Sequence, residues 1–310
     1  MTNDANVIAI EPASFDRPPL LNGVRSFPRV WTVWVALSVA MVAIIVAQTI
    51  FVLILFAYLL SQGKQIQQIQ PLLETYMATP PIFILLLFFG PGLFGLVALG
   101  AGWLSPETLR ARLGLVPVTT SRAIYPLSII GSLFPMAVGL GMAEGLVWLA
   151  PKVPVDTGVA KLYEQMTPLW SIPFVILIGL LPGFCEEMLF RGYVQRRFVT
   201  RFRPLWGIVL TSVLFGLAHI MPAAVLFATV IGFYFGLIAW RCGSIWPTIC
   251  CHIFINSSVN LWRMVLIFGD ISERTQSVVT WSVVAISAVC FVALMRLLYR
   301  HGRENLQLMQ

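Results

Sequence analysis

Apolar residues run along this chain in long blocks separated by short polar and charged stretches. About 20 apolar residues cross a bilayer as a helix. The blocks therefore predict transmembrane spans at 31–60, 80–104, 124–150, 169–190, 204–220, 222–240, 244–264 and 278–299. That makes an all-α, polytopic membrane protein of about eight transmembrane helices. The fifth and sixth spans share one apolar stretch broken only at Met221-Pro222. The first span is long enough to tilt or to project beyond the membrane. No internal repeat and no low-complexity segment accompanies the blocks.

Composition agrees with this pattern. Hydrophobic residues make up 58% of the 310 and charged residues 11%, against about 25% charged in a soluble domain. Residues 1–28, with four prolines and mixed charge, predict a soluble N-terminal tail. They lack the charged start, apolar stretch and cleavage site of a signal peptide. Residues 29–300 form the helical domain and 301–310 a C-terminal tail.

Charge then orients the chain. With the N-terminus in the cytoplasm and loops assigned alternately, fifteen of the 20 Lys and Arg fall on the cytoplasmic side and five on the other. This positive-inside bias places both termini in the cytoplasm. It also accounts for the net charge of +7 through anionic lipid partners, with no need of nucleic acid. The segment RGYVQRRFVTRFR at 191–203 reads as a basic amphipathic stretch lying in the cytoplasmic interface.

Five cysteines lie in or beside apolar segments. Cys250-Cys251-His252 lacks the Cys-x₂₋₄-Cys spacing of structural zinc sites, so the cysteines read as small apolar packing groups.

The chemistry concentrates in a few polar groups inside the apolar blocks. Glu186 and Glu187 end the run SIPFVILIGLLPGF, where a carboxylate costs a few kcal/mol unless it is paired, protonated or useful. Two of the three histidines, His219 and His252, also lie within apolar spans. Glu187 and Arg191 are i, i+4 neighbours and can pair on one helix face. Glu186 is rotated by about 100° and points elsewhere. Phe215 and His219 repeat the i, i+4 spacing, as do His252 and Asn256. A carboxylate, a second titratable group and two hydrogen-bonding side chains are what activating a water and stabilising an oxyanion require. There is no H-E-x-x-H and no G-x-S-x-G in the chain.

In order, EExxxR (Glu186, Glu187, Arg191), FxxxH (Phe215, His219) and HxxxN (His252, Asn256) resemble the CAAX prenyl protease and bacteriocin-processing (CPBP) family of intramembrane endopeptidases. The resemblance covers roughly residues 168–262, a catalytic core within the helical domain. It implies that Glu186 and His219 activate the attacking water, that His252 and Asn256 stabilise the oxyanion, and that Glu187 and Arg191 brace the helix carrying Glu186. The implied substrate is a membrane-embedded or lipidated peptide.

Cofactor use stays open between none and zinc. Glu186, His219 and His252 could supply a three-ligand zinc site, whereas the Asn256 amide is a poor zinc ligand and a good oxyanion donor. The alternatives to an enzyme are a non-catalytic scaffold or immunity protein of the same fold, and a proton-coupled transporter. For transport, GPGLFGLVALGAG at 90–102 could form a broken helix at a substrate site. The chain shows no appended soluble domain and no eukaryotic targeting signal, so the expected location is a bacterial inner membrane.

The span list contains one conflict. If 204–220 crosses fully from Pro204, His219 lies more than ~15 Å in depth from Glu186, at 1.5 Å per residue. A shared site requires either that the helix carrying Glu186 sits deeper, or that 204–220 and 222–240 form a hairpin that does not cross fully.

Overall fold

The computed structural model describes residues 20–21, 24–25, 29–154 and 157–307, with side chains from 29–154 and 158–300. Most of the predicted N-terminal tail and the side chains of the C-terminal tail lie outside the described residues. Within the former, Leu20–Leu21 (β1) and Val24–Arg25 (β2) form a two-residue antiparallel pair.

The remainder is helical: α1 (Trp31–Ser61), α2 (Ile66–Met77), α3 (Pro80–Phe89), α4 (Pro91–Trp103), α5 (Leu109–Arg112), α6 (Ile124–Gly131), α7 (Leu133–Leu149), α8 (Thr157–Glu164) and α9 (Pro168–Glu187). A π-helical segment, Met188–Gln195, joins α9 to α10 (Arg196–Arg201). Then come α11 (Pro204–Leu217), α12 (Pro222–Cys242), α13 (Trp246–Phe268) and α14 (Glu273–Gln307). Seven segments are long and apolar enough to cross a membrane: α1, α3–α4, α6–α7, α9–α10, α12, α13 and α14 up to Arg300. This is an integral, multi-pass architecture.

Its layers follow from burial. Only 11% of the most apolar window of α1 is buried, and Val42, Ile45, Leu53 and Ile54 stand exposed on it, a face suited to lipid. In α12 the figure is 44%, which makes it the central helix. Ile231, Tyr234, Phe235 and Ile238 of α12 pack with Ile124 of α6, Cys251 and Ile255 of α13, and Leu294 and Leu298 of α14. The buried Tyr234 hydroxyl donates to the Ser128 carbonyl at 2.7 Å. Outside the spans, α2 and α8 are tied by Lys161 Nζ to Glu74 Oε2 at 2.8 Å. That bond and charge hold the exposed Glu74 carboxyl below the usual carboxylate range.

Two elements differ from the sequence reading. The predicted crossing at 204–220 is a helix of 14 residues, about 21 Å at 1.5 Å per residue and short of a ~30 Å hydrocarbon core. It folds back on α12 as a hairpin. Ile220, at φ 64°, is the one non-glycine residue at positive φ among the described residues, and it turns the chain directly after His219. Such a conformation costs a β-branched residue on the order of 1–3 kcal/mol.

The second difference lies at the end of the fourth predicted span. The segment continues without a break from Pro168 to Arg201, so Glu186 and Glu187 sit near its middle. Residues 191–203 are not a flat interfacial face: Arg191 and Gln195 are fully buried and Arg197 nearly so. Several of their polar atoms find protein partners, while Arg191 Nε and Gln195 Oε1 have no hydrogen bond among the described residues. Gln195 Nε2 donates to the Gly236 carbonyl at 2.8 Å and Arg197 Nη1 to the Tyr193 carbonyl at 3.1 Å. Of the expected remedies, the helix carrying Glu186 does continue well past it, and α11 is the short arm of a hairpin whose other arm, α12, is itself long enough to cross.

Close approach of α9 to α13 sets the site. Gly179 and Gly183 form a small-xxx-small face. A Cβ on Gly183 would lie 2.5 Å from Ile253 Cγ1 and 3.1 Å from the Ile253 main-chain nitrogen, and one on Gly179 would collide with Ser257 Oγ. Ser257 Oγ donates across the same seam to the Val175 carbonyl at 3.1 Å. Gly183→Ala is expected to lower stability by about 1–3 kcal/mol, the usual cost of overpacking. Gly141→Ala, where a Cβ meets nothing within 4 Å, should leave it unchanged. Thermal unfolding of the two variants in one detergent makes the comparison.

Candidate active site

The four side chains singled out for chemistry come from three places in the chain and line one cavity. Glu186 of α9, His219 just after α11, and His252 and Asn256 of α13 meet around a cavity of about 220 Å³, ample for water. Phe215, Phe227, Ile231, Phe235 and Ile255 make most of the remaining wall apolar.

The acidic pair divides its work. Glu187 is fully buried, and its Oε1 accepts from Arg191 Nη1 at 2.6 Å and from His252 Nδ1 at 3.0 Å. Since Glu187 Oε1 is held by Arg191 as a carboxylate, the hydrogen on the bond to His252 belongs to Nδ1. The other imidazole nitrogen, Nε2, is turned toward Glu186 Oε2, 3.9 Å away and beyond direct hydrogen-bond length. Glu186 Oε2 has no protein hydrogen-bond partner among the described residues. It is buried at the edge of the cavity, with Glu186 8% exposed.

Arg191, also fully buried, is held on several sides. Its Nη2 donates to the Gly232 carbonyl at 3.3 Å, and its Cζ lies 4.2 Å from the Phe215 ring centroid and 5.3 Å from that of Phe235. A desolvated guanidinium between two ring faces gains cation–π attraction that is largest when water is excluded.

Phe215 contacts both histidines, with its ring centroid 5.0 Å from that of His219 and 6.0 Å from that of His252, edge-on in each case. His219 Nδ1 bonds to the Phe215 carbonyl at 2.9 Å. A carbonyl can only accept, so His219 carries its proton on Nδ1 and keeps a lone pair on Nε2.

Asn256 Nδ2 donates to the Ile178 carbonyl at 3.1 Å. That carbonyl is available because Pro182, four residues on in α9, has no N–H to offer it. One amide hydrogen of Asn256 is thereby engaged, and the other remains for a ligand.

The structure thus brings Glu186, Phe215, His219, His252 and Asn256 together, and Glu187 and Arg191 form the ion pair that their spacing predicts. Three features went unread in the sequence. Glu187 is also the partner of His252. Phe235, whose ring centroid lies 5.3 Å from that of His252, is a second wall of the arginine. Pro182 acts on Asn256 through a freed carbonyl, and a proline four residues after Ile178 on an apolar helix was a readable signal. No group of three His, Cys, Asp or Glu side chains placed to hold a metal ion occurs among the described residues.

Comparison with known proteins bears on the same stretch. No curated protein and no solved structure matches the chain. Residues 168–258 match the family model described as Rce1-like, type II CAAX prenyl endopeptidase Rce1-like. The region that builds this cavity, from the start of α9 through Asn256, is therefore similar to the type II CAAX prenyl endopeptidases, consistent with the CPBP family that its three motifs resemble.

Proposed function

We propose that this chain is an intramembrane endopeptidase that hydrolyses a peptide bond of a membrane-embedded or lipidated substrate. The observation that carries the reading is the convergence of Glu186, His219, His252 and Asn256 on one largely apolar cavity. The place of Glu186 within a long apolar segment, and the match of residues 168–258 to a protease family model, support it. With α11 and α12 entering and leaving the bilayer on one side as a hairpin, six segments cross and the positive-inside count supports both termini in the cytoplasm, where anionic lipids face the basic ends; the membrane proposed is a bacterial inner membrane.

In this mechanism a water is held between the unpartnered oxygen of Glu186 and Nε2 of His219. Glu186 takes one proton as the water oxygen bonds to the substrate carbonyl carbon, and the carbonyl π electrons move to oxygen. The free amide hydrogen of Asn256 donates to that oxyanion, and so does Nε2 of His252 when the ring is the imidazolium, its Nδ1–H still held by Glu187. Collapse of the intermediate breaks the C–N bond, and Glu186 returns the proton to the leaving amine. Each oxyanion donor is worth about 10²–10³ in kcat. The apolar wall keeps these charge interactions in a low dielectric, where they are strongest.

His219→Ala and His252→Ala test the assignment in proteoliposomes against membrane peptides. Each is expected to lower kcat by about 10²-fold or more while the protein still inserts; His252→Ala also lowers stability by about 1–3 kcal/mol, because it takes a hydrogen bond from the buried Glu187. Retained turnover in either variant removes that residue from the chemistry.

A further inference from the structure

The second proline-freed carbonyl at the site has no assigned partner. The stretch 90–102, which could have been a broken helix, is continuous as α4 from Pro91, and the break lies just before it, beside the cavity. The span 80–103 is interrupted at Gly90, whose ψ of −95° is outside the helical range. Pro91 opens α4, and Pro91 and Leu87 both line the cavity that holds Glu186, His219, His252 and Asn256.

In an unbroken helix the N–H of residue 91 would bond to the carbonyl of residue 87. Proline has none. The neighbouring carbonyl, Leu86, is satisfied by Gly90 N at 2.9 Å. Among the described residues no turn or side-chain hydrogen bond ends on the Leu87 oxygen. Helical carbonyls point toward the C-terminal end of their helix, which for α3 is the break itself.

The same device recurs across the cavity. Pro182 strips the helical donor from Ile178, and both of these residues line the cavity too. There the freed carbonyl is taken by Asn256 Nδ2. Two residues that line the cavity, Leu87 and Ile178, thus have carbonyls stripped of their helical donor, and a side chain engages that of Ile178. An unmet backbone acceptor in an apolar wall costs a lost hydrogen bond until something donates to it.

We propose that the Leu87 carbonyl at the Gly90–Pro91 break is a substrate-binding group that accepts a main-chain N–H of the bound peptide. This rests on the endopeptidase reading and narrows it. The substrate must present a free amide N–H to the break. An ester, an N-methylated residue or a proline at that one position is poorly bound.

The test uses the full chain in liposomes and a quenched-fluorescent membrane peptide cleaved by the wild type. Analogues carry a single ester linkage in place of each amide near the scissile bond. One position is expected at which the ester raises KM about three- to tenfold with kcat little changed, the size of one hydrogen bond in a binding step. Pro91→Ala, which restores the N–H and lets the helix take the Leu87 carbonyl, should raise KM for the ordinary peptide by a similar factor. It should also abolish the further effect of the ester. Pro91→Ser repeats the comparison through a different side chain if Pro91→Ala does not insert. Unchanged KM in folded proline variants, or an ester effect of the same size in variant and wild type, overturns the inference and leaves the endopeptidase reading intact. A wild type that cleaves no membrane peptide removes both.

Discussion

Glu186→Gln is expected to lower kcat by about 10²–10⁴-fold, the range for loss of a general base, while the protein inserts and unfolds as the wild type does. The amide keeps the shape of the carboxyl group and cannot take a proton from water. Stability should hold because the buried Oε2 of Glu186 makes no protein hydrogen bond, whereas Glu187 is held through Oε1 by both Arg191 and His252. Replacing a carboxylate in that position by a neutral group removes a desolvation cost. Steady-state cleavage and thermal unfolding, measured on one preparation, separate the two effects. A residue with a structural role would lose stability along with activity. A variant that stays stable and fully active would show that the unpartnered carboxylate is not the base.

Arg191→Ala is expected to do the opposite in the first instance, lowering stability by about 3–5 kcal/mol, the cost of leaving one member of a buried ion pair alone. Glu187 keeps the His252 hydrogen bond and loses the 2.6 Å bond to Nη1. The rings of Phe215 and Phe235 lose the guanidinium that fills the space between them. A double replacement, Glu187→Leu with Arg191→Met, distinguishes brace from chemistry. Removing both charges and keeping apolar volume should recover much of the stability, since a buried pair often contributes little over an apolar substitute. Activity should stay low, because His252 Nδ1 has lost the acceptor that fixes its tautomer and its ring. Equal recovery of stability and turnover in the double variant would show that Glu187 only balances Arg191.

These two outcomes differ because neighbouring glutamates do different things, and the sequence displays only half of that difference. The Glu187–Arg191 pair is local, four residues apart on one helix, and local spacing is readable. The bond from His252 to Glu187 spans 65 residues and depends on α9 and α13 touching through Gly179 and Gly183. Once Arg191 had been matched to Glu187, nothing in the sequence asked for a second partner.

The spans were legible because bilayer length and apolar composition are strong, local constraints. The fifth failed as a crossing because hydropathy cannot register a turn. What ends α11 at Leu217 is the reversal at His219–Ile220, inside an apolar block. The continuation of α9 past residue 190 was hidden for the converse reason. Arg191, Gln195 and Arg197 look like surface residues until the carbonyls of Gly232, Gly236 and Tyr193 are placed beside them. Phe235 was illegible as one phenylalanine among 21. The prolines were within reach: Pro91 and Pro182 stand four residues after Leu87 and Ile178, and a proline inside an apolar helix always frees a carbonyl.

The central claim is that Glu186 drives hydrolysis of membrane peptides. Its most direct test is to compare new peptide termini in membranes of cells expressing the wild-type chain or Glu186→Gln at matched levels. Fragments present with the wild type and missing with the variant are the predicted result, and their sequences identify the substrates. Identical sets of termini across several growth conditions would contradict it.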